Sequence, residues 1–297
     1  MIERLWLRNP DRPYGGDVLH ECLVDTDIAP CRPLADWARE ADEVDGADVV
    51  FLLHGFNVDR AAGKETLDRL AQALRPELDR LVVPVLWPGD MDLATLQLVS
   101  FLSYAFEYDN ADEAGERLGD AICAHMGRAR RVSFISHSLG ARVVVRAAER
   151  IARRRRRGEA TPRLGELCLL APAIDATAFT DRRASRALVD EVEGITVLGS
   201  RGDKVLRFIY PLGDLGAALL DFFRDERVRT ALGYGGIRPD NPRPERMTDT
   251  ILPPERGVEH ADYFPSDADA DPERRANYDR SARFAAAALT GTPPRWR

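Results

Sequence analysis

VSFISHSLGARVVV, residues 132–145, joins an apolar run to a short polar turn and then to an amphipathic segment. Residues 132–135 predict a buried strand, and residues 139–156 predict a helix with one apolar face and one arginine-rich face. A strand that runs directly into a helix leaves Ser138 at the sharp turn between them, with its hydroxyl clear of the sheet. Such a hydroxyl can attack a carbonyl carbon once a base takes its proton.

The turn around Ser138 needs small residues two positions before and two positions after it, because the backbone there passes close to neighbouring elements. Gly140 meets that need, and Ser136 stands where the usual GxSxG pattern has glycine. A serine at a helix start can also act simply as an N-cap. The strand before Ser138 and the amphipathic helix after it favour a nucleophile over a cap.

Several further apolar runs have the character of the one at 132–135. They are continuous rather than alternating, which is typical of parallel strands buried on both faces. The spacing leaves room for a crossover helix between strands. The sequence therefore predicts an α/β fold with a mostly parallel central sheet and helices on both faces. The runs are 49–53, 81–86, 132–135, 167–170 and 195–198, and the predicted helices are 60–75, 112–127, 139–156, 182–192 and 272–289.

The remaining segments are less regular. Residues 1–45 are expected to add an antiparallel pair of strands. Pro84 lies inside the run 81–86 and cannot donate a ladder hydrogen bond, so we expect this strand to be shorter than the run. Residues 236–257 are rich in proline and arginine and predict a loop. Nothing in the sequence has the composition of a linker, and we expect one domain over residues 1–297.

Composition and charge argue against several classes of protein. The formal charge of −7 disfavours nucleic-acid binding, which concentrates positive charge against phosphates. The four cysteines form no CxxC pair and no metal-type cluster, and no HExxH or similar ligand spacing suggests a metal. We expect no metal and no cofactor. The segment HGFNVDRAAGKET lacks the spacing of a phosphate-binding loop. The sequence shows no signal-peptide pattern and no run near the ~18 apolar residues of a membrane span, so we expect a soluble, cytoplasmic protein of undetermined oligomeric state.

A serine nucleophile needs a base, and the chain has five histidines from which to choose. His20 lies in the irregular first part, and His125 lies inside a predicted helix. His137 is next to Ser138, on a turn expected to point it elsewhere, and His54 ends a strand. His260 remains, in the late segment GVEHADYF, and its position suits the chain order nucleophile, acid, histidine.

The acid that orients the histidine should follow a strand between Ser138 and His260. Asp203 ends the segment ITVLGSRGD, and Asp175 ends the segment LCLLAPAID. Asp203 is favoured, because the later strand usually supplies this acid, whereas Asp175 also suits a helix N-cap. Both carboxylates remain candidates from the sequence.

Stabilising a developing oxyanion requires backbone N–H donors close to the nucleophile. The amide of Leu139 and an amide from the HGFN loop, that of Phe56, are the candidates for this oxyanion hole. Gly55 would allow the tight turn, and His54 is expected to brace the loop by hydrogen bonds, with His137 in a supporting position. The plainer interpretation is that HGFN is only a strand-to-helix turn.

Six segments carry a recognisable pattern: FLLHGFN (51–57), WPGD (87–90), Tyr104 with YDN (108–110), ISHSLGARV (135–143), LLAPAID (169–175) and GVEH (257–260). Together they resemble the α/β-hydrolase superfamily, and they are similar to a bacterial group described as hydrolases of unknown function. The resemblance runs from about residue 48 to residue 264. It implies a serine hydrolase fold with Ser138, an acid at Asp203 or Asp175, and His260. It does not supply a substrate.

These residues predict hydrolysis of a small-molecule carboxylic ester through an acyl-enzyme, a serine esterase reaction. Acyl transfer and thioester hydrolysis use the same groups, and a non-catalytic binding or scaffold protein is the alternative from another class. The apolar segments within 90–112 and 205–235 are expected either to form a lid and an acyl pocket or to be ordinary core helices. The aromatic residues proposed to line that pocket are Phe101, Tyr104, Phe106, Phe208 and Tyr210.

Overall fold

A computed structural model gives the fold of the chain. The residues that it describes are 4–8, 18–25, 32–33, 35–36, 39, 44–56, 58, 60–89, 100–180, 186–209, 230–237, 244–265 and 271–297. Nine strands lie within these ranges: β1 Arg4–Arg8, β2 Val18–Asp25, β3 Arg32–Pro33, β4 Asp48–Leu53, β5 Leu81–Leu86, β6 Arg131–His137, β7 Arg163–Leu170, β8 Val192–Ser200 and β9 Met247–Leu252.

All nine described strands belong to one sheet, in the order β3-β2-β1-β5-β4-β6-β7-β8-β9. The seven strands from β1 to β9 in this order pair in parallel, whereas β2 and β3 are antiparallel to their neighbours. The predicted mostly parallel sheet and the antiparallel pair within the first 45 residues are therefore confirmed.

Helices connect these strands and cover both faces of the sheet. None of the helices in the described ranges is long and apolar enough to cross a membrane. The α-helices are α1 Arg60–Leu74, α2 Ser100–His125, α3 Gly140–Arg156, α4 Arg186–Glu191, α5 Leu232–Gly235 and α6 Pro272–Leu289, and shorter turns are a π-helix at Val205–Ile209 and 3-10 turns at Pro254–Arg256 and His260–Asp262.

Alternate residues of each central strand face two separate hydrophobic cores. In β6, Val132 and Phe134 join the core beneath α2 and α3, while Ile135 joins the core beneath α1 and α6. Both faces of the strand are thus buried, which explains why its apolar run is continuous rather than alternating. The result is the predicted α/β-hydrolase architecture.

Two expectations from the sequence are wrong. Residues 236–257 are not all loop, because Met247–Leu252 form β9, which pairs in parallel with β8. This strand, MTDTIL, buries only its ends and has no continuous apolar run. Pro84 does not shorten β5, which spans Leu81–Leu86. Pro84 pairs with Leu52 of β4, and pairing with β1 involves only the two residues after the proline.

The sequence-predicted lid lies largely outside the described part of the chain. Residues 90–99 and 210–229 are not described, and Tyr210 lies among them. Residues 100–112 belong to α2, which begins at Ser100 rather than at residue 112. The pocket-lining role of the five aromatic residues stays a prediction, because none of their side chains is among those that the structure describes.

Ion pairs fix α3 against α2 along the polar faces of both helices. Asp112 accepts hydrogen bonds from Arg142 and Arg146, at 2.7 and 2.8 Å from the two Nε atoms. Burial acts to raise the pKa of Asp112, but these hydrogen bonds hold that pKa below its ordinary value. Eight positions further on, Asp120 accepts in the same way from two arginines of α3, Arg150 and Arg154.

A half-buried carboxyl group, that of Glu166, lies on β7 away from the turn at Ser138. The Glu166 side chain lies over Gly194 of β8, where a Cβ would come within 2.1 Å of the Glu166 Oε2 atom. Its Oε1 atom is buried and has no hydrogen-bond partner among the described residues. Burial raises the pKa of Glu166 from its ordinary 4.5 to about 7. Folding therefore favours the protonated form of this group.

Replacing Glu166 by glutamine should remove a pH-dependent part of the stability. A raised carboxyl pKa contributes stability that is complete below about pH 4.5 and is lost as the pH rises to about 7. The parent should lose stability as the pH rises from 5 to 8, and Glu166→Gln should not. The free energy of unfolding of the variant relative to the parent should therefore increase by about 1–3 kcal/mol from pH 5 to pH 8. Urea denaturation at both pH values measures this, with Glu77→Gln, an exposed position, as control. Equal pH responses of the two variants would contradict the assignment.

Candidate active site

Ser138 lies at the turn between the last residue of β6 and the first residue of α3. Its φ of +52° is in the left-handed region, which residues other than glycine rarely adopt. Its N–H donates to the carbonyl of Leu170 at 3.0 Å, and its own carbonyl accepts from Ala141 and Ala173, both at 3.1 Å. These backbone bonds tie the turn to the end of β7 and hold the unusual conformation.

Two glycines allow the turn at Ser138 to lie against the end of β4. A Cβ at Gly140 would be 2.4 Å from the carbonyl oxygen of His54, so no side chain fits there. A Cβ at Gly55 would be 2.9 Å from the Ser138 Cβ. Ser136 is fully buried, and its hydroxyl has no hydrogen-bond partner among the described residues. The fold therefore accommodates this serine where the usual pattern has glycine.

His260 lies between Ser138 and Asp203 and contacts both. Its Nε2 atom is 2.9 Å from the Ser138 Oγ, and its Nδ1 atom is 2.7 Å from the Asp203 Oδ2. A carboxylate only accepts hydrogen bonds, so Nδ1 carries the proton and Nε2 is free to accept from the serine hydroxyl. The three residues follow β6, β8 and β9, at the carboxyl edge of the parallel sheet, where ligands bind in open α/β folds.

Asp203, and not Asp175, is the carboxylate bound to His260. The Asp203 side chain is fully buried, and its second oxygen accepts from the N–H of Leu206 at 2.9 Å. Asp175 accepts instead from the N–H and the hydroxyl of Thr177, both at 2.6 Å. Asp175 therefore caps its own local turn, whereas Asp203 is positioned by the π-helix that follows β8.

The HGF turn is held by a second turn that follows β5. The His54 Nε2 accepts from the N–H of Trp87 at 3.3 Å, and the indole N–H donates to the His54 carbonyl at 2.9 Å. The Nδ1–H of His54 donates to the carbonyl of Gly55 at 2.9 Å. These bonds hold Gly55, which lies against Ser138. They therefore also set the position of the next residue, Phe56, which is half-buried and packs against both cores.

The sequence led us to expect that His137 points away from the site. In the structure its ring lies against His260 instead. Its Nε2–H donates to the backbone carbonyl of His260 at 2.8 Å, and the two ring centroids are 4.8 Å apart. Burial and the neighbouring His260 lower the pKa of His137 to about 3. The bond joins residues 123 positions apart in the sequence. No local pattern in the sequence identifies such a contact.

Further contacts hold the loop that carries His260. Lys204 forms an ion pair with Glu259 at 2.8 Å, directly beside the Asp203–His260 pair. The N–H of Glu259 donates to Asp262 at 2.8 Å, and Asp262 also accepts from the Nε of Arg274 at 3.0 Å. The sequence reasoning identified none of these residues. Their signal, a Glu-His-Ala-Asp capping pattern, becomes visible only once the turn at 260–262 is known.

Comparison with known proteins gives the family. Residues 35–213 match the model of a family described as "Alpha/beta hydrolase of unknown function (DUF900)". The chain belongs to this family. No curated protein matches it. Within the described ranges, no group of three or more His, Cys, Asp or Glu side chains could hold a metal ion.

Several solved structures are similar to the chain at low identity. An esterase from Pyrobaculum calidifontis is 15% identical, with a TM-score of 0.38 over 83% of this chain and 77% of the esterase. A thermostable carboxylesterase from a metagenomic library is 16% identical, with a TM-score of 0.40 over 82% and 81%. A dienelactone hydrolase-like promiscuous phosphotriesterase from metagenomic libraries is 12% identical, with a TM-score of 0.45 over 97% and 99%.

Adding one methyl group at Gly140 should lower the free energy of unfolding. The Cβ of Gly140→Ala would overlap the His54 carbonyl at 2.4 Å, and overpacking of this kind lowers the free energy of unfolding by about 1–3 kcal/mol or more. Gly127→Ala is the matched control, because its Cβ would have its nearest neighbour at an ordinary 3.6 Å. Urea denaturation of both variants should show a large loss for position 140 alone. Equal stabilities would mean that the contact at His54 is not restrictive.

Proposed function

We propose that this hydrolase-family protein is a serine esterase that acts on small-molecule carboxylic esters through an acyl-enzyme intermediate. The observation that carries the proposal is the continuous line of hydrogen bonds from the Ser138 hydroxyl through His260 to the buried Asp203. In such an arrangement the imidazole takes the serine proton, and the carboxylate holds the tautomer that can do so.

In the first half of the proposed reaction, the Ser138 Oγ attacks the ester carbonyl carbon while its proton passes to the Nε2 of His260. The imidazolium that forms is stabilised by Asp203, 2.7 Å from Nδ1. The former carbonyl oxygen carries the negative charge of the tetrahedral intermediate. The backbone N–H groups of Leu139 and Phe56 are the proposed donors to this oxyanion.

The tetrahedral intermediate then loses the alcohol. His260 gives its proton from Nε2 to the departing alkoxide oxygen, and the acyl group stays bound to the Ser138 Oγ. In the second half, a water molecule attacks the acyl carbon and His260 takes one water proton. Collapse releases the carboxylic acid and returns the proton to Ser138.

Acyl transfer and thioester hydrolysis remain alternatives with the same groups, because they differ only in the acceptor or the leaving group. A scaffold that keeps only the fold is disfavoured, because it would have no need for the buried Asp203. A buried carboxylate is unfavourable unless it is paired, as Asp203 is with His260. One domain over 1–297 also remains our proposal, supported by the single sheet that all described strands share.

Removing the hydroxyl of Ser138 should abolish turnover and leave the fold intact. We expect Ser138→Ala to lose hydrolysis of p-nitrophenyl esters and to resist labelling by a fluorophosphonate probe. Ser281→Ala, at another buried serine, is the control and should keep both properties. Turnover by the Ser138 variant at the parent rate, or labelling at a different serine, would contradict the proposal.

The two candidate acids should differ sharply in their effect on catalysis. Loss of the orienting carboxylate costs about 10⁴-fold in kcat in a serine protease, and we expect Asp203→Asn to approach that loss. Asp175→Asn should change kcat far less, because Asp175 bonds to Thr177. Steady-state kinetics with a p-nitrophenyl ester measures both. The reverse order would move the acid to Asp175, and two small effects would argue against the whole serine–histidine–acid arrangement.

A further inference from the structure

We infer that His137 is a positioning residue that holds His260 in reach of Ser138 by binding the backbone of His260. The inference rests on the proposed function, since it concerns the same reaction. Its basis is one hydrogen bond, from the Nε2–H of His137 to the carbonyl oxygen of His260 at 2.8 Å.

The bond closes a ring of contacts between the nucleophile and its base. His137 and Ser138 are neighbours in the chain, and the His260 ring bonds to the Ser138 Oγ at 2.9 Å. The His260 backbone bonds in turn to the His137 ring. A displacement of the His260 loop relative to Ser138 must therefore break or stretch the His137 bond. Both residues of the reacting pair take their position from the end of the same strand, β6.

The tautomer of His137 follows from its partner. A carbonyl oxygen can only accept, so the ring proton lies on Nε2 and the neutral ring has no proton on Nδ1. The Nδ1 atom faces Gly55, 3.0 Å from where a Cβ of that residue would lie. With its pKa lowered to about 3, His137 is neutral at neutral pH. No second positive charge then opposes the imidazolium that His260 becomes during the reaction.

The other contacts of this loop described above hold residues beside His260, or its ring, rather than its backbone; Asp262, for example, bonds to Glu259 and Arg274. The ion pair of Lys204 with Glu259 is exposed, with 75% and 51% of the two side chains accessible, and exposed pairs hold geometry weakly. Asp203 fixes the orientation of the His260 ring rather than its backbone. Aromatic contact adds to the hold, because the His137 ring also stacks on Phe264, with centroids 5.3 Å apart.

Two substitutions separate the hydrogen bond from the ring. His137→Phe keeps an aromatic ring but loses the donor, whereas His137→Gln loses the ring and keeps an N–H donor. A misplaced catalytic group can cost about 100-fold in rate, and we expect His137→Phe to lower kcat for a p-nitrophenyl ester by about 10- to 100-fold with KM nearly unchanged. His137→Gln should recover most of that loss. His125→Phe, at an exposed histidine, is the matched control and should leave kcat unchanged.

Labelling of Ser138 by a fluorophosphonate probe provides the second measurement, because it needs His260 in place but no ester substrate. The labelling rate constant of His137→Phe should fall by the same factor as kcat, with circular dichroism confirming the fold. If that variant does not fold, His137→Met, which also lacks a donor, replaces it. Labelling of His137→Phe at the parent rate, or equal losses in the Phe and Gln variants, would overturn the inference. Absence of labelling in the parent would instead overturn the proposed function.

Discussion

The carbonyl oxygen of His54 and the α-carbon of Gly140 lie so close that a Cβ at residue 140 would be only 2.4 Å from that oxygen. This contact joins the end of β4 to the start of α3, and the turn at Ser138 has to fit between them. It also brings Gly55 against the Ser138 Cβ. The geometry around the serine is thus set by backbone packing, independently of the side chains of His260 and Asp203.

The opposite side of α3 is fixed by charge. Asp112 and Asp120 of α2 each accept from two arginines one turn apart on α3. Because each carboxylate bridges two guanidinium groups, α3 cannot slide or rotate on α2 without losing several charge-assisted bonds at once. A helix held at its first residue by close packing and along its length by these pairs is a rigid support for Ser138, two positions before it. Rigid elements of this kind hold functional groups more accurately than loops do.

Burial on both faces makes a strand easy to recognise in the sequence, and that is why the runs at 132–135 and 81–86 predicted β6 and β5. The edge strand Met247–Leu252 buries little, so composition alone gave a loop. The strand–turn–helix pattern also selected Ser138, and elimination together with chain order selected His260. Strand order favoured Asp203 over Asp175 but left both open. The contacts of Asp203 and of His137 with His260 depend on where segments distant in the sequence meet in space. Such contacts have no periodicity or spacing from which to predict them.

The backbone conformation at Ser138 has a consequence for the stability of the turn. A left-handed conformation costs an L-amino acid roughly 1–2 kcal/mol, and glycine would avoid that cost. Selection for folding alone would therefore favour glycine at this position, where φ is +52°. Serine at this position therefore gives up stability that glycine would keep, and local strain of this kind is typical of functional sites.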